Sequence, residues 1–445
     1  MRIAVGEPLL LQDILSRKFG AQDSAVRGVS IDSRQIKPGD LFIPLVGQQQ
    51  DGHEFISDAL KGGAALIFDS RKSTSPSKTV RVEDTKAALY QLVALYRNEF
   101  SVPLLGITGS NGKTTTKELL HHIISQNRSC FKTEGNFNST VGMPLGLLQL
   151  KYGHQFGVVE MGVGEPGEMS TMCNLLKPDL GLITNIHPVH LEFFGSLDRI
   201  ALEKGRLFTC LPTDGMAFVA VDDPMIVKLP SPARKISYSL KVEADLKGHY
   251  FEDVMDSYLA LMDVEIKLPY GGKTMAQNAL AAAVIALQLN IPLTDIKETI
   301  ESFSAPSGRG NIRYFNDLTV IDDTYNANLQ SVLQGVTAFQ KINPQARHIV
   351  ILGDMFELGS AAEDHHRLLG KYIQQSGIQA VFCLGALTRF TLAELNGANI
   401  HHRHFDDHSQ LAGYLREYCQ AGDMIYIKGS RGMAMEKIIK QGFTG

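Results

Sequence analysis

The run Thr108-Gly109-Ser110-Asn111-Gly112-Lys113-Thr114-Thr115-Thr116 sets two glycines, a lysine and a series of hydroxyls between an apolar strand and an amphipathic helix. A strand that turns directly into a helix aims several free backbone N–H groups at one point, and an anion is held there. Gly109 and Gly112 permit the positive φ angles and close backbone approach of such a turn. Lys113 brings a mobile point charge to terminal phosphates, and the Thr114 hydroxyl is a hard oxygen ligand for Mg²⁺. The spacing is G-x-x-G-K-T, shorter than the common G-x-x-x-x-G-K-[ST] loop. Nucleoside triphosphate binding is the chemistry these residues point to, and the plain alternative is a glycine-rich turn opening an ordinary helix.

Further candidates stand at the ends of apolar runs. Phe156 to Val159 reads as a strand tipped by Glu160, a carboxylate suited to sharing Mg²⁺ with Thr114 if the two strand ends adjoin. The run Leu180 to Ile186 leads to His187, His190 and Glu192, which suit either metal ligation or ordinary solvated side chains. Lys204 falls in a helix begun by Ser196 as N-cap, where spacing alone makes it a helix-surface lysine.

These residues need a scaffold of alternating strands and helices, and the chain has one. Its 445 residues exceed one ordinary core and predict two or three domains, while 44% hydrophobic and 20% charged residues exclude a disordered chain. Short strands at Val29–Asp32, Leu41–Val46, Ala65–Phe68 and Val80–Val82, with a helix near His53–Lys61, mark a small first unit. After a helix at Lys86–Phe100 come strands at Leu104–Thr108, Phe156–Met161, Leu180–Ile186 and Ala217–Val221, closed by an Ala-rich helix at Asn278–Leu289. That alternation predicts a largely parallel, doubly wound sheet. The turn-rich Ser304-Ala305-Pro306-Ser307-Gly308 marks a boundary. Beyond it lie strands at Leu318–Ile321, His348–Leu352, Ala380–Leu384 and Met424–Ile427, and a helix at Ala434–Lys440. The expected domains are 1–84, 85–308 and 309–445. A net charge of −4 without a long basic run argues against a nucleic-acid surface. No apolar stretch of membrane-spanning length and no signal peptide stand out, so a cytoplasmic protein without membrane insertion is expected. Cys130, Cys173, Cys210, Cys383 and Cys419 have no C-x-x-C pairing and read as reduced, mostly buried small hydrophobes.

Five segments together resemble the Mur ligases: Thr108 to Thr116, Glu134-Gly135-Asn136-Phe137-Asn138, Val159-Glu160-Met161-Gly162, Asn185 to Ser196, and Asp322-Asp323-Thr324-Tyr325-Asn326-Ala327-Asn328. The resemblance spans the chain, from Asp32-Ser33-Arg34, Gly39-Asp40-Leu41-Phe42 and Asp51-Gly52-His53 to Lys428-Gly429-Ser430-Arg431. It implies an α/β protein of three domains: a small α/β N-terminal UDP-binding domain, a central P-loop domain with a doubly wound, mostly parallel sheet, and a C-terminal Rossmann-like domain closing over ATP. It also implies an amide ligase, and the E-G-N-F-N, H-L-E-x-F-G-S and D-D-x-Y-N-A-N segments narrow it to the member joining D-alanyl-D-alanine to UDP-N-acetylmuramoyl-tripeptide. The expected course is attack of a substrate carboxylate on the γ-phosphate, then of an amine on the acyl phosphate, by a monomer. Another Mur ligase, a folylpolyglutamate synthase-like ligase, or a P-loop nucleotide switch or scaffold are the rival readings.

Carried over position by position, the resemblance implies a catalytic set of Lys113, Glu160, His190 and Lys204. Gly109, Ser110, Asn111, Gly112, Lys113, Thr114 and Thr115 would cradle the phosphates. Two Mg²⁺ are expected, one on Thr114 and Glu160 and a second served by His190. Lys204 matches the lysine that the family carbamylates with CO₂, a carboxylate-like anion able to help position metal and γ-phosphate. Asn278 would contact adenine, Arg309 would reach the phosphates from the C-terminal domain, and Asp323 would bind ribose with Tyr325, Asn326 and Asn328 nearby. Ser33 and Arg34 suit the UDP group, and Lys428, Ser430 and Arg431 suit the carboxylate of the incoming dipeptide. Without the family, Asn278 reads as an N-cap, Arg309 as surface charge and Asp323 to Asn328 as a strand-end turn. Three positions depart from the family pattern: Thr274 stands in place of a histidine before the Ala-rich helix, Leu329 in place of a proline, and Gly164 in place of an asparagine.

Overall fold

The computed structural model describes residues 1–21, 25–47, 49–71, 76–253 and 256–443, and its strands form sheets of five, nine and six strands. In the first sheet the strands Arg2–Ala4, Gly28–Ser30, Asp40–Phe42, Leu66–Asp69 and Thr79–Arg81 lie side by side in chain order, parallel except for the first pair. The strand expected at Leu41–Val46 stops at Phe42. Pro44 cannot donate to a ladder, and Val46 makes only an isolated bridge to Asp51. The helix expected near His53 starts as a 3₁₀ turn, Gly52–Phe55, before becoming α-helical over Ile56–Lys61.

Seven parallel strands make up most of the central sheet, in the order Cys130–Lys132, Phe156–Glu160, Leu104–Thr108, Leu180–Ile183, Met216–Ala220, Arg234–Ser239 and Leu246–Glu252. Two antiparallel strands, Ser257–Leu261 and Val264–Lys267, extend its edge and make the sheet mixed. From Leu104–Thr108 the chain runs to one edge, returns beside that strand as Phe156–Glu160, then continues on its other side as Leu180–Ile183. Reversal of strand order at this point opens a crevice at the carboxyl ends, so the loops after all three strands converge. The Ala-rich helix starts at Lys273 behind Gly272, whose φ is 105°. Its Ala276, Ala279, Ala282, Ala283 and Ala286 are wholly buried, and such small side chains let it lie close against the helix Lys113–Ser125.

The C-terminal sheet runs Asn311–Phe315, Leu318–Asp323, Met424–Lys428, His348–Gly353, Ala380–Leu384, His401–Phe405, parallel except for the first pair. Its strands alternate between two apolar layers, Val350 and Leu352 facing one and Ile349 and Ile351 the other. The first two sheets behave differently. Leu11, Ile14 and Leu15 of the helix Pro8–Phe19 and Leu89, Leu92 and Val93 of the helix Thr85–Asn98 belong to the same continuous apolar cluster as Leu104, Leu182 and Leu280. Cys173 and Cys383 are buried as expected and Cys210 is exposed.

Tyr96 ties this shared core together. Its side chain is fully buried, its hydroxyl donates to Leu150 O at 2.8 Å and accepts from Glu7 N at 2.8 Å. Desolvation accordingly pushes its phenol well above the usual range. Tyr96→Phe should therefore lower stability by about 1–3 kcal/mol, because the buried Leu150 carbonyl and the partly buried Glu7 N–H lose their partner; a urea titration of the two proteins measures it.

Candidate functional site

The phosphate loop is shaped by its neighbours. Gly109 (φ 144°) and Gly112 (φ 81°) both occupy backbone conformations unfavourable for other residues. A Cβ on Gly109 would lie 1.9 Å from Thr184 Oγ1, and one on Gly112 would lie 2.4 Å from Asn278 Oδ1. The end of the adjoining strand clamps the loop from the side. Asn111 N donates to Asn185 Oδ1 at 2.9 Å and Asn185 Nδ2 donates back to Asn111 O at 3.1 Å. Ser110 N donates to Asn185 O at 2.9 Å, and Ser110 Oγ both donates to His187 O at 3.0 Å and accepts from His187 N at 2.8 Å. His187 thus serves through its backbone.

Lys113 Nζ folds over the loop and donates to Gly109 O at 2.8 Å and Ser110 O at 3.2 Å. Burial lowers its pKa; Glu160 opposes that shift and Arg309 adds to it. Thr114 Oγ1 donates to Glu160 Oε2 at 2.7 Å, so the two strand ends do adjoin. Asn138 Nδ2 donates to Glu160 Oε1 at 2.8 Å, and Glu160 N donates to Thr133 Oγ1 at 3.1 Å. A carboxylate and a hydroxyl this close are hard oxygen donors of the kind Mg²⁺ takes. Glu160 is only 2% exposed, and its orientation is set before any ligand arrives.

The opposite wall comes from the C-terminal unit. Arg309 is no surface charge: Nη2 donates to Thr114 Oγ1 at 2.8 Å, and the guanidinium stacks 3.9 Å from the Tyr325 ring. Asn328 caps the helix Leu329–Lys341 in a capping box with Ser331, and its Nδ2 donates to Asn111 Oδ1 at 2.6 Å across the crevice. Asp323 Oδ2 accepts from Tyr426 OH at 2.6 Å and Lys428 Nζ at 2.7 Å. Lys428 is therefore paired and buried. Ser430 Oγ accepts from Phe356 N at 2.8 Å, and Arg431 N donates to Asn326 Oδ1 at 3.2 Å. Arg431 begins a 3₁₀ turn, Arg431–Met433, and the helix starts later at Glu436. The helix expected at Ala434–Lys440 thus runs two residues later, Glu436–Gly442, and Arg431 lies outside it.

Ser110 to Thr115, Asn138, Glu160, Arg309, Asp323, Tyr325, Asn328, Tyr426, Lys428, Ser430 and Arg431 line one cavity of about 830 Å³, together with Asn278 and His190; Gly109, Thr133, Thr184, Asn185 and His187 support it from behind. His190 has a φ of 52°, and its Nδ1 lies 2.6 Å from Glu357 Oε2, a close polar contact between the two walls rather than an aligned hydrogen bond. Asn278 sits in the second turn of its helix, which excludes the N-cap reading, and accepts from Thr116 Oγ1 at 3.3 Å. Lys204 does not line the cavity. It is 2% exposed, contrary to a helix-surface lysine, and its pKa falls to about 7 through desolvation and the nearby Lys113 charge, with Glu203 opposing. Ser33 and Arg34 lie outside the cavity in a 3₁₀ turn, where Arg34 Nε and Nη2 each donate to the Asp32 carboxylate at 2.9 Å.

Lys117 escaped the sequence reading. It is fully buried, donates from Nζ to Thr133 O at 2.6 Å, and lies 3.1 Å from Glu118 and 3.8 Å from Glu160 Oε2. One turn beyond Lys113 it looks like a surface lysine, and only the fold turns it under Glu160. Lys117→Met should destabilise the protein by about 3–5 kcal/mol because it removes a buried cation beside Glu160 and leaves Thr133 O without its donor; chemical denaturation of the metal-free protein reads the loss.

Comparison with known proteins agrees with this geometry. Residues 107–286 match the Mur ligase middle domain, 308–431 the domain described as "Mur ligase, glutamate ligase domain", and 25–97 the Mur ligase family catalytic domain. The UDP-N-acetylmuramoyl-tripeptide--D-alanyl-D-alanine ligase of Bacillus subtilis is 31% identical over 434 residues, covering 94% of this chain and 93% of the relative. A crystal structure of MurF from Acinetobacter baumannii superposes with a TM-score of 0.88 at 26% identity over 99% of this chain and 100% of that one. MurF ligase from Thermotoga maritima, solved in complex with ADP, gives 0.81 at 26% identity over 93% and 96%. The chain belongs to the Mur ligase family.

Proposed function

We propose that the protein is an ATP-dependent ligase that joins D-alanyl-D-alanine to UDP-N-acetylmuramoyl-tripeptide, a step of bacterial peptidoglycan precursor synthesis. The observation that carries this reading is the cavity itself, where the phosphate loop and Glu160 face Arg309 and Asp323 across two units of the chain. A carboxylate is a poor acyl donor, and transfer of a γ-phosphoryl group to one of its oxygens gives an acyl phosphate from which phosphate departs when the amine attacks. The protein's share of such chemistry is positioning and charge neutralisation.

Lys113 and the loop N–H groups would hold the β- and γ-phosphates, with Arg309 closing on them from the far wall. Asp323 would accept from the ribose hydroxyls, its carboxylate fixed by Tyr426 and Lys428. Glu160 and Thr114 fit one Mg²⁺ and His190 a second, and such ions would neutralise the phosphate oxygens. Lys204 supports carbamylation on two counts: the amine is buried, and it is half neutral near pH 7. Because the folded-state pKa is lowered, the reactive neutral amine gains population as pH rises through about 7.

The working domains are 1–84, 85–308 and 309–445, with the UDP group assigned to the first, near Ser33 and Arg34. The carboxylate of the dipeptide would meet Ser430 and Arg431, which line the cavity. Lys428, held by Asp323, would act there through its charge. The reading makes the protein a cytoplasmic monomer; among the described residues no helix is long and apolar enough to cross a membrane.

ADP release in the presence of UDP-N-acetylmuramoyl-tripeptide should require D-alanyl-D-alanine, and glutamate or a free diamino acid should not replace it; equal rates with glutamate would overturn the substrate assignment. Lys113→Ala should abolish turnover. Depleting CO₂ should slow the enzyme, more so below pH 7, and small carboxylic acids should partly restore Lys204→Ala; CO₂-independent rates would remove the carbamate.

A further inference from the structure

The position where the chain departs from its family before the Ala-rich helix has an occupant from elsewhere. Thr274, in the first turn of the helix Lys273–Gln288, donates from Oγ1 to Gln334 Oε1 at 3.1 Å. Gln334 belongs to the helix Leu329–Lys341 of the C-terminal unit, so the bond crosses the crevice. Both residues line the cavity, and Asn278 stands one turn from Thr274 on the same helix. Next to Gln334 in its helix, Gly335 lies against the Tyr426 ring, which stacks on Phe339 at 5.6 Å, and both rings line the same cavity as Tyr250 and Tyr270. A cavity that combines planar apolar faces with polar groups suits a heteroaromatic base.

The hydrogen bond orients the amide. With Oε1 engaged by Thr274, the Gln334 Nε2 group is the free end, and among the described residues it has no hydrogen-bond partner. A fixed NH₂ donor distinguishes purines by the atom it meets. Adenine N1 is a bare ring nitrogen and accepts, whereas guanine and hypoxanthine carry a hydrogen at N1 and would set donor against donor. A donor left unpaired in a desolvated pocket is costly, and that cost is what lets polar sites discriminate strongly.

We propose that the Thr274–Gln334 pair reads N1 of the adenine ring, and so sets the preference of this enzyme for ATP over nucleotides protonated at N1. The inference rests on the ATP-dependent reading above and adds the residues that choose the base. The reader sits on the C-terminal unit and its anchor on the central unit, so base recognition requires the two walls to meet. Thr274 and Gln334 are specificity residues and touch no reacting atom.

Four nucleotides separate N1 from the exocyclic groups: ATP, purine riboside triphosphate, inosine triphosphate and GTP. Purine riboside keeps a bare N1 without the amino group, and inosine keeps the hydrogen at N1 without the 2-amino group of guanine. For each, kcat/KM for dipeptide-dependent phosphate release is measured, with competition against a fluorescent ADP as an activity-free readout. Wild-type protein should use ATP and purine riboside triphosphate in preference to the other two. Gln334→Leu should shrink that preference by about tenfold, and Thr274→Val should shrink it less, since the amide remains but loses its anchor. Gln334→Glu should move the preference toward inosine triphosphate and GTP, because a carboxylate accepts from N1–H; misfolding cannot produce such a reversal. Equal losses for all four nucleotides in Gln334→Leu would mean that the bond only joins the two walls, and this would overturn the proposal, as would unchanged ratios. Binding without dipeptide-dependent turnover in wild-type protein would instead refute the ligase reading, while the competition ratios would still decide the base reader.

Discussion

The reciprocal pair of hydrogen bonds between Asn111 and Asn185 is the constraint on which the site depends. It fixes the loop backbone to the end of the neighbouring strand, and from that follow the direction of the helix Lys113–Ser125, the aim of its N–H groups and the reach of Lys113. The same Asn111 offers its side chain to Asn328 of the other wall. One residue therefore transmits the position of the central sheet to the C-terminal unit. Thr114 repeats the arrangement, giving its hydrogen to Glu160 and accepting from Arg309.

The two junctions between the sheets differ in chemistry. The first and second sheets meet through apolar burial, an unbroken cluster from Ile3 to Phe303. Across the cavity the second and third meet through polar groups: Asn111 with Asn328, Thr114 with Arg309, Thr274 with Gln334, Glu252 with Lys341 at 2.5 Å. Apolar burial is non-directional and strong, while a polar contact is directional and contributes modestly because water can replace either partner. A catalytic cleft that must admit and release nucleotide is well served by the second kind of contact. All the residues assigned to ATP except Gly109 line that cavity.

Much of this was legible in the chain. The strand, the glycines, Lys113 and the helix periodicity together specify the loop, because each local signal agrees with the others. Glu160 was readable as a strand tip, and Asn138 lay within a recognised segment although its bond to Glu160 was not visible. What remained hidden are relations between distant residues. Lys204 and Lys117 look solvated by spacing, and only packing shows them buried. Thr274 and Gln334 lie 60 positions apart. The strand that leads to the antiparallel edge escaped notice because Leu246-Lys247-Gly248-His249-Tyr250-Phe251-Glu252 has no clean apolar alternation. Leu41–Val46 was read too long because the periodic signal outlasts the ladder that Pro44 interrupts.

The shared core has a consequence for synthesis of the protein. Three sheets correspond to two apolar blocks, since the apolar face of the N-terminal region is completed by the helices Thr85–Asn98 and Gly142–Leu147 and is continuous with the central core. On the ribosome the first eighty or so residues thus emerge before the partners that finish their burial, and wait with part of that surface uncovered. The C-terminal block draws both of its apolar layers from its own residues and closes its core once its last helix, Glu436–Gly442, is free.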